Sequence, residues 1–176
     1  MNPIGTSDKE SIFKLTEEYL QNNNMHIVAR DTKRPWGGFF VLDENEAEKF
    51  ITCFFPEFTV AQLAVQGREG TPPGKLSPKI LIVAPHTRLS WQYHYRRAEI
   101  WTLISGEASV IRSETDRENE TIFLKKGNSL ELKQGERHRL VGLGNWGIIA
   151  EIWRHTDPDH PSDEEDIVRL QDDFGR

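Results

Sequence analysis

The chain has 176 residues, with 22 basic and 28 acidic side chains and a net charge of −6, so its length fits one domain with a full core. The acidic balance argues against a nucleic-acid partner, because proteins that bind the phosphate backbone carry a basic stripe. The single cysteine excludes an internal disulfide, and the polar N-terminus and lack of long apolar runs predict a cytoplasmic protein with no membrane partner.

An amphipathic helix is predicted near the N-terminus, over residues 8–21. Ser7 and Glu10 have the spacing of a capping box, in which two side chains satisfy free backbone N–H groups at a helix start. Apolar residues then recur at helical spacing from Ile12 to Leu20, which indicates one buried helix face.

A loop is predicted after this helix. The asparagines at 22–24 end the helical pattern, and the chain then reaches residues 34–38, where proline and glycine favour a tight turn. The predicted organisation is therefore an N-terminal helix and linker over residues 1–32 and a single domain over residues 33–176.

Short β-strands are predicted for most of the remaining chain, because apolar or alternating runs are separated by turn residues. They cover residues 39–42, 49–55, 79–83, 100–104, 108–112, 120–124, 129–132 and 147–152. This pattern predicts an all-β sandwich or closed barrel, with Cys53 as a buried strand residue. The segment 69–78 is predicted to be an exposed loop, and 162–169 a short C-terminal helix.

Four polar side chains have the spacing of a metal site. Gln92 and His94 are two residues apart, so they point to the same side of an extended strand. Glu99 can return from the next strand to meet them, and His138 completes the set. Such a mixed nitrogen and oxygen site can bind one divalent ion of Zn, Co, Mn, Ni or Fe. The alternative is a hydrogen-bonded polar network without an ion.

Together with Gly106, Gly127 and Gly135, these side chains resemble the two motifs of the cupin superfamily. The chain further resembles the cupin domain of type II phosphomannose isomerases, in segments that occur in family order: 34–37, 89–94, 97–101, 105–106, 138–140, 165–169 and 172–176. The resemblance implies a double-stranded β-helix, or jelly-roll barrel, with the N-terminal helix outside the match. The 176 residues are expected to leave no room for the nucleotidyltransferase domain of the family's bifunctional members.

The resemblance implies metal-dependent interconversion of mannose 6-phosphate and fructose 6-phosphate. The metal ligands that the resemblance implies are Gln92, His94, Glu99 and His138. Arg97 matches an arginine that the family places at its active site, and Lys79 matches a lysine on the strand that enters the first motif.

The residues also suggest roles in such a reaction. An isomerase needs a general base, and Glu151 is the candidate if it faces into the barrel; a strand residue that faces water is the equal alternative. A sugar phosphate needs fixed cations, and the candidates are Arg97, Lys79, Arg139 and Arg169. Arg97 comes first because it lies between two ligands.

Tyr95, Arg96 and Ile100 stand outside the family pattern, which usually has histidines near these positions, and they are expected to alter the pocket walls. They leave open an isomerase of another sugar or a non-catalytic carbohydrate-binding cupin. Oxygenase chemistry is the weaker alternative, since its sites prefer a His-rich set of ligands over one with an amide.

The expected partners are a small-molecule sugar phosphate and, as a homodimer, a second copy of the chain. Cupin barrels have edges that can pair with another copy. Phe54, Phe55 and Phe58 are expected to be exposed and to form that contact.

Overall fold

The protein is described from a computed structural model that covers residues 8–64 and 74–175. Its helical segments are α1 (Lys9–Asn22), a 3-10 turn (Glu44–Glu46), α2 (Ala47–Phe54) and α3 (Val60–Leu63). Its strands are β1 (Ile27–Asp31), β2 (Gly37–Leu42), β3 (Lys79–Val83), β4 (Trp91–Tyr93), β5 (Arg97–Ser113), β6 (Ile122–Phe123), β7 (Ser129–Leu132), β8 (Arg137–His155) and β9 (Val168–Gln171). The predicted all-β architecture is confirmed. Among these residues, no helix is long and apolar enough to span a bilayer.

The strands pair antiparallel, in the order β1-β2-β3-β8-β4-β9, and β5 pairs with β6, β7 and β8. The strands predicted at 100–104 and 108–112 are two halves of the long strand β5, which runs beside β8 and is interrupted by bulges near Leu103 and Gly106. Bulges bend a strand and increase its twist, so one strand can follow two walls of a barrel.

Gly106 shows why this bend needs a glycine. Its φ of +73° lies in the left-handed region, and a Cβ added there would lie 1.7 Å from the backbone oxygen of Trp146. A larger residue would therefore have to move the backbone of β8.

Alternating side chains divide the core into two layers. On β3, Ile80 and Ile82 pack with the buried faces of α1 and α2, whereas Leu81 and Val83 pack inside the barrel with Trp101. This alternation is the two-residue period of a strand. It places polar residues of the same strands inside the barrel, at the end of the inner apolar layer.

The N-terminal helix is confirmed to within one residue at each end. Its cap is Asp8, whose carboxylate accepts a hydrogen bond from the backbone N–H of Ser11 at 2.9 Å. The predicted capping residue Ser7 lies outside the described residues. The loop predicted after the helix is wrong in part, because Ile27–Asp31 form β1 and pair with β2.

The strand predicted at 49–55 is wrong, because these residues lie mainly in helix α2. Phe50, Ile51 and Phe54 fall on one helix face and are buried against the sheet, while Cys53 is exposed rather than buried. An apolar run of this length is compatible with a strand or a buried helix, and packing on the outer layer decides between them.

The aromatic contact predicted for a homodimer is also wrong. Phe54 and Phe55 are 5% and 0% exposed, and Phe58 is half-buried against the same core. Their rings stabilise the fold of one chain. The homodimer itself stays a prediction without a surface assigned to it.

Two further segments differ from expectation. Of the loop predicted at 69–78, residues 69–73 lie outside the described residues, and Leu76 and Ser77 are buried rather than exposed. Their backbone N–H groups donate to Glu44 at 2.6 and 2.8 Å. The C-terminal helix predicted at 162–169 is wrong, because Val168 begins β9, which pairs with β4.

Candidate metal centre

Residues from the two sequence motifs meet inside the barrel. His94 directly follows β4, Glu99 lies on β5 and His138 lies on β8. Each is at most 2% exposed, and their potential ligand atoms all lie within 4.8 Å of one another. The antiparallel pairing of β8 with both β4 and β5 brings distant parts of the chain to this point.

Backbone carbonyls orient both imidazoles. His94 Nδ1 lies 2.9 Å from the Asp166 carbonyl oxygen, and His138 Nδ1 lies 2.9 Å from that of Glu136. A carbonyl only accepts, so each Nδ1 carries the proton and each Nε2 presents a lone pair. The Nε2 atoms lie 3.1 and 3.3 Å from the two oxygens of Glu99.

This arrangement fits a divalent metal ion. His138 Nε2 and Glu99 Oε2 are buried, and neither has a hydrogen-bond partner among the described residues. With the neutral tautomer, two lone pairs face each other, which is unfavourable unless a cation lies between them. Two imidazole nitrogens and one carboxylate are ligands typical of transition metals.

The charge state of the cluster also suits a cation. Burial lowers the pKa of His94, although Glu99 opposes the shift, so the ligand-competent neutral form is favoured. Burial alone would raise the pKa of Glu99, but neighbouring groups, among them the Arg97 guanidinium, hold that pKa well below its ordinary value. The carboxyl group is therefore ionised at neutral pH.

Gln92 lies beside this cluster. Its β4 position is paired with His138 on β8, and its side chain lines the same cavity as Glu99. Its Oε1 accepts a hydrogen bond from the Ser90 hydroxyl at 2.6 Å. An amide oxygen has a second lone pair, so this bond leaves Gln92 able to act as a further ligand.

Arg97 is buried against the cluster, with 2% of its surface exposed. Its Nε donates to Glu99 at 2.8 Å, and a terminal nitrogen lies 3.2 Å from His94 Nε2. The other terminal nitrogen donates to the Ser162 hydroxyl and the Asp163 carbonyl. Arg97 thus joins the cluster to the segment 162–167, which we call the C-terminal strap.

A cavity opens next to the cluster, with an empty volume of about 540 Å³ including its mouth. The basic side chains that line it are Arg34, Lys79, Arg97 and Arg169. The carboxylates that line it are Glu99, Glu151 and Glu164. A cavity with this mixture of charges can hold a polar, anionic ligand.

Glu151 faces into the barrel rather than water, with 4% of its surface exposed. Its two oxygens accept hydrogen bonds from the indole N–H groups of Trp101 and Trp153 at 2.9 and 3.0 Å. Burial, reinforced by the negative charge of Glu99, raises the pKa of Glu151 to about 7. A carboxyl group with such a pKa can exchange a proton near neutral pH.

The predicted phosphate contacts are only partly brought together. Lys79 and Arg169 line the cavity, whereas Arg139 is not among the described residues that line it. Arg139 is fully buried and donates to the Leu89 carbonyl and to Glu118. Its position on β8 follows His138, so its side chain points to the opposite face, and the structure does not support a phosphate contact there.

The departures from the family pattern lie away from the cavity lining, contrary to the prediction that they alter its walls. Ile100 is fully buried in the outer layer, on the opposite face from Glu99. Tyr95 is 61% exposed, and Arg96 pairs with Asp163. None of the three side chains is among the residues that line this cavity.

The C-terminal strap forms a wall of the cavity that the sequence patterns did not predict. Glu164 and Ile167 line the cavity, and the Asp166 carbonyl orients His94. The resemblance of 165–169 to a family segment was the available signal, whereas the acidic run at this place predicts a helix start. Acidic side chains that bond local backbone N–H groups also occur in turns, which is their role here.

Comparisons with known proteins identify the family to which the chain is similar. Residues 73–172 match the family model described as mannose-6-phosphate isomerase C-terminal. The chain is 27% identical to a mannose-1-phosphate guanylyltransferase of Salmonella montevideo over 172 residues, which are 97% of this chain and 29% of that protein. It is 34% identical to the alginate biosynthesis protein AlgA of Pseudomonas aeruginosa, over 58% of this chain and 20% of AlgA. The chain therefore spans less than a third of either relative.

Solved structures share the fold at low sequence identity. The capsular polysaccharide assembling protein CapF of Staphylococcus aureus matches with a TM-score of 0.51 and 14% identity, over 84% of this chain and 34% of CapF. Vicilin from Corylus avellana matches with a TM-score of 0.51 and 17% identity, over 79% of this chain and 35% of vicilin. These likenesses show a cupin fold, and the family match covers more than half of the chain. The protein therefore belongs to the mannose-6-phosphate isomerase C-terminal family of cupins, as its motifs predicted.

Proposed function

We propose that the protein is a metal-dependent aldose-ketose isomerase that interconverts mannose 6-phosphate and fructose 6-phosphate. The observation that carries the proposal is the buried cluster of His94, Glu99 and His138, with unpartnered atoms directed at one another. It lies beside a cavity that also contains Glu151 and several cations. A metal-ligand set, an acid-base group and anion-binding side chains are the three parts that this reaction requires.

A divalent ion held by His94, Glu99 and His138 would supply positive charge where negative charge develops on the sugar oxygens. Glu151 would remove the proton from C2 of the aldose and return it to C1 of the ketose, while the hydroxyl proton of O2 passes to O1. Its near-neutral pKa suits both directions, because the carboxyl group can exist in either protonation state. The two indole N–H bonds hold the carboxylate in one orientation.

The cations of the cavity have separate roles in this proposal. Lys79 and Arg169 line the cavity and would bind the phosphoryl group. Arg97 already donates to Glu99 and to strap groups, so it would place the carboxylate ligand and add positive charge next to the reacting atoms. The Salmonella montevideo relative is named as a mannose-1-phosphate guanylyltransferase rather than an isomerase, which supports a non-catalytic sugar-phosphate module as the second candidate.

Turnover with defined metals tests the proposal. Metal-stripped protein is supplied separately with Zn, Co, Mn, Ni and Fe(II), and conversion of mannose 6-phosphate to fructose 6-phosphate is followed. We expect at least one metal to restore turnover. His138→Ala should remove both bound metal and turnover, whereas the control His160→Ala should keep both, because His160 is exposed and pairs with Asp157.

Undiminished turnover in His138→Ala would contradict the assignment of the metal site. Sugar-phosphate binding measured by calorimetry, with no turnover under any metal, would instead support the non-catalytic module. A panel of other aldoses distinguishes an isomerase of a different sugar from the proposed one.

A further inference from the structure

One ion pair joins the C-terminal strap to the cavity, between Lys79 and Glu164. The Lys79 side chain is 7% exposed, whereas the Glu164 side chain is 55% exposed. The Lys79 ammonium lies 3.7 Å from the centre of the Trp153 ring and 5.2 Å from that of Phe39. A buried cation on the barrel wall therefore has a counter-ion that reaches it from a largely hydrated position.

Lys79 needs an anion, because a buried ammonium that loses its partner is strongly destabilised. The other carboxylates of the cavity accept their hydrogen bonds from other groups: Glu99 from Arg97, and Glu151 from two tryptophans. The charge of Lys79 also acts on Glu151, but without an ion pair between them. Within the described part of the chain, Glu164 is the carboxylate that forms an ion pair with Lys79. Its greater exposure makes it the partner that can be exchanged.

The strap backbone does not depend on this ion pair. The Asp166 carboxylate accepts hydrogen bonds from the backbone N–H groups of Tyr95 and Arg96 and from the Ser162 hydroxyl. Arg97 also donates to the Asp163 carbonyl at 3.0 Å. The Glu164 side chain can therefore rotate away from Lys79 while these contacts keep the strap in place.

We propose that Glu164 is a displaceable counter-ion, which the phosphoryl group of the ligand replaces on Lys79. The ligand class follows from the proposed function, but the exchange itself is a property of this ion pair. A phosphoryl group offers more negative charge than a carboxylate and three acceptor oxygens, so it can replace Glu164. A neutral sugar cannot, because it would leave Lys79 without an anion. Glu164 thus competes with the phosphoryl group for Lys79 and weakens phosphate binding in the wild type.

Titration of metal-stripped protein with inorganic phosphate tests the exchange, by calorimetry and by tryptophan fluorescence, since the Trp153 ring contacts Lys79. Glu164→Gln removes the competing charge, and we expect it to bind phosphate about 5- to 10-fold more tightly than the wild type, the range of a typical charge coupling. The control is Glu165→Gln, which makes the same charge change at the adjacent exposed position. It should stay within about twofold of the wild type, because charges in solvent are screened.

Lys79→Met identifies the cation concerned. It should abolish the gain that Glu164→Gln produces when the two changes are combined, and thermal unfolding checks that each variant is folded. Neutral mannose should bind no more tightly to Glu164→Gln than to the wild type.

Three results would overturn the exchange: equal or weaker phosphate binding by Glu164→Gln, an equal gain in Glu165→Gln, or no phosphate binding by either the wild type or Glu164→Gln. None of these results involves turnover. Loss of the proposed isomerase activity and loss of this exchange are therefore distinguished by separate experiments.

Discussion

At the scale of single residues, Glu151 shows how the barrel interior changes the chemistry of a common side chain. Its carboxyl group is buried and shares the inner layer with Glu99, and together these raise its pKa from 4.5 to about 7. Lys79 and Arg97 oppose the shift without cancelling it. The acid therefore keeps its proton in the folded protein at a pH where the unfolded chain has lost it.

The pH dependence of stability tests this state in metal-free protein. Burial lowers the pKa of His155 to about 4, so that group favours stability as pH rises. The folded pKa of Glu151 lies above the unfolded value, so the contribution of Glu151 to stability should instead fall as pH rises from about 4.5 to about 7 and then level off. The full loss would be on the order of 3 kcal/mol. Glu151→Gln should remove this contribution, so the stability difference between the wild type and the variant should shrink as pH rises. Its amide also lowers stability at every pH by placing N–H groups against an indole donor.

Urea unfolding at a series of pH values measures both slopes. Glu131→Gln is the matched control, because Glu131 is 56% exposed and should retain the wild-type slope. A stability difference between the wild type and Glu151→Gln that does not change with pH would contradict the raised pKa of Glu151.

At the scale of elements, the cluster depends on the pairing of strands with the C-terminal strap. β4 and β8 place Gln92 beside His138, while the strap fixes the imidazole of His94 through the Asp166 carbonyl. A carbonyl that holds the distal nitrogen of a ligand histidine sets both its tautomer and its direction. The strap is therefore a part of the candidate metal centre as well as a wall of the cavity.

Removing the Asp166 carboxylate should loosen the strap and weaken metal binding. In Asp166→Ala, the backbone N–H groups of Tyr95 and Arg96 lose their acceptor. The strap that carries the carbonyl of residue 166 is then held less firmly, so this carbonyl orients His94 less well. We expect the affinity for Zn²⁺ to fall by about 10- to 100-fold, the range found when such outer contacts are removed. Competition with a chromogenic chelator measures it. Glu165→Gln should keep the wild-type affinity, and an unchanged affinity in folded Asp166→Ala would contradict this role of the strap.

At the scale of the whole molecule, the two faces of the sheet have different roles: one packs against the helices, and the other leads to the candidate site. The outer face of β2 and β3 packs against α1 and α2, and the inner face carries the apolar layer that leads to the cavity. In the outer layer, Phe13 is 6% exposed and packs against Phe40 in a T-shaped arrangement, with the ring centroids 5.5 Å apart. Changes there should affect unfolding more than ligand binding, because the sheet lies between the two layers.

Phe13→Ala tests this separation. It should lower the free energy of unfolding by about 3–5 kcal/mol, because it leaves a cavity between α1 and the sheet. Phosphate affinity of the folded protein should stay within about twofold of the wild type, since additivity holds for distant sites. The control Leu15→Ala on the same helix should cost less than about 1 kcal/mol, because Leu15 is 38% exposed. A large change in phosphate affinity in folded Phe13→Ala would show that the two layers are coupled.

Local patterns in the sequence determined much of the architecture. The helix after Asp8 and the strands at 79–83 and 129–132 agree with the structure to within one residue, because capping, helical spacing and strand alternation act over a few neighbouring residues. The motif spacing also identified His94, Glu99 and His138 as residues that the structure brings together.

The tertiary structure alone decided the features that depend on distant partners. The run ending at Phe54 became a helix because the outer sheet face offered it a packing surface. Residues 162–167 became a strap because Asp166 found backbone donors about 70 residues away. The pairing of Lys79 with Glu164 likewise joins segments 85 residues apart. Local propensity carries no information about such contacts. They stabilise the protein only when the barrel has formed and has brought these distant segments together.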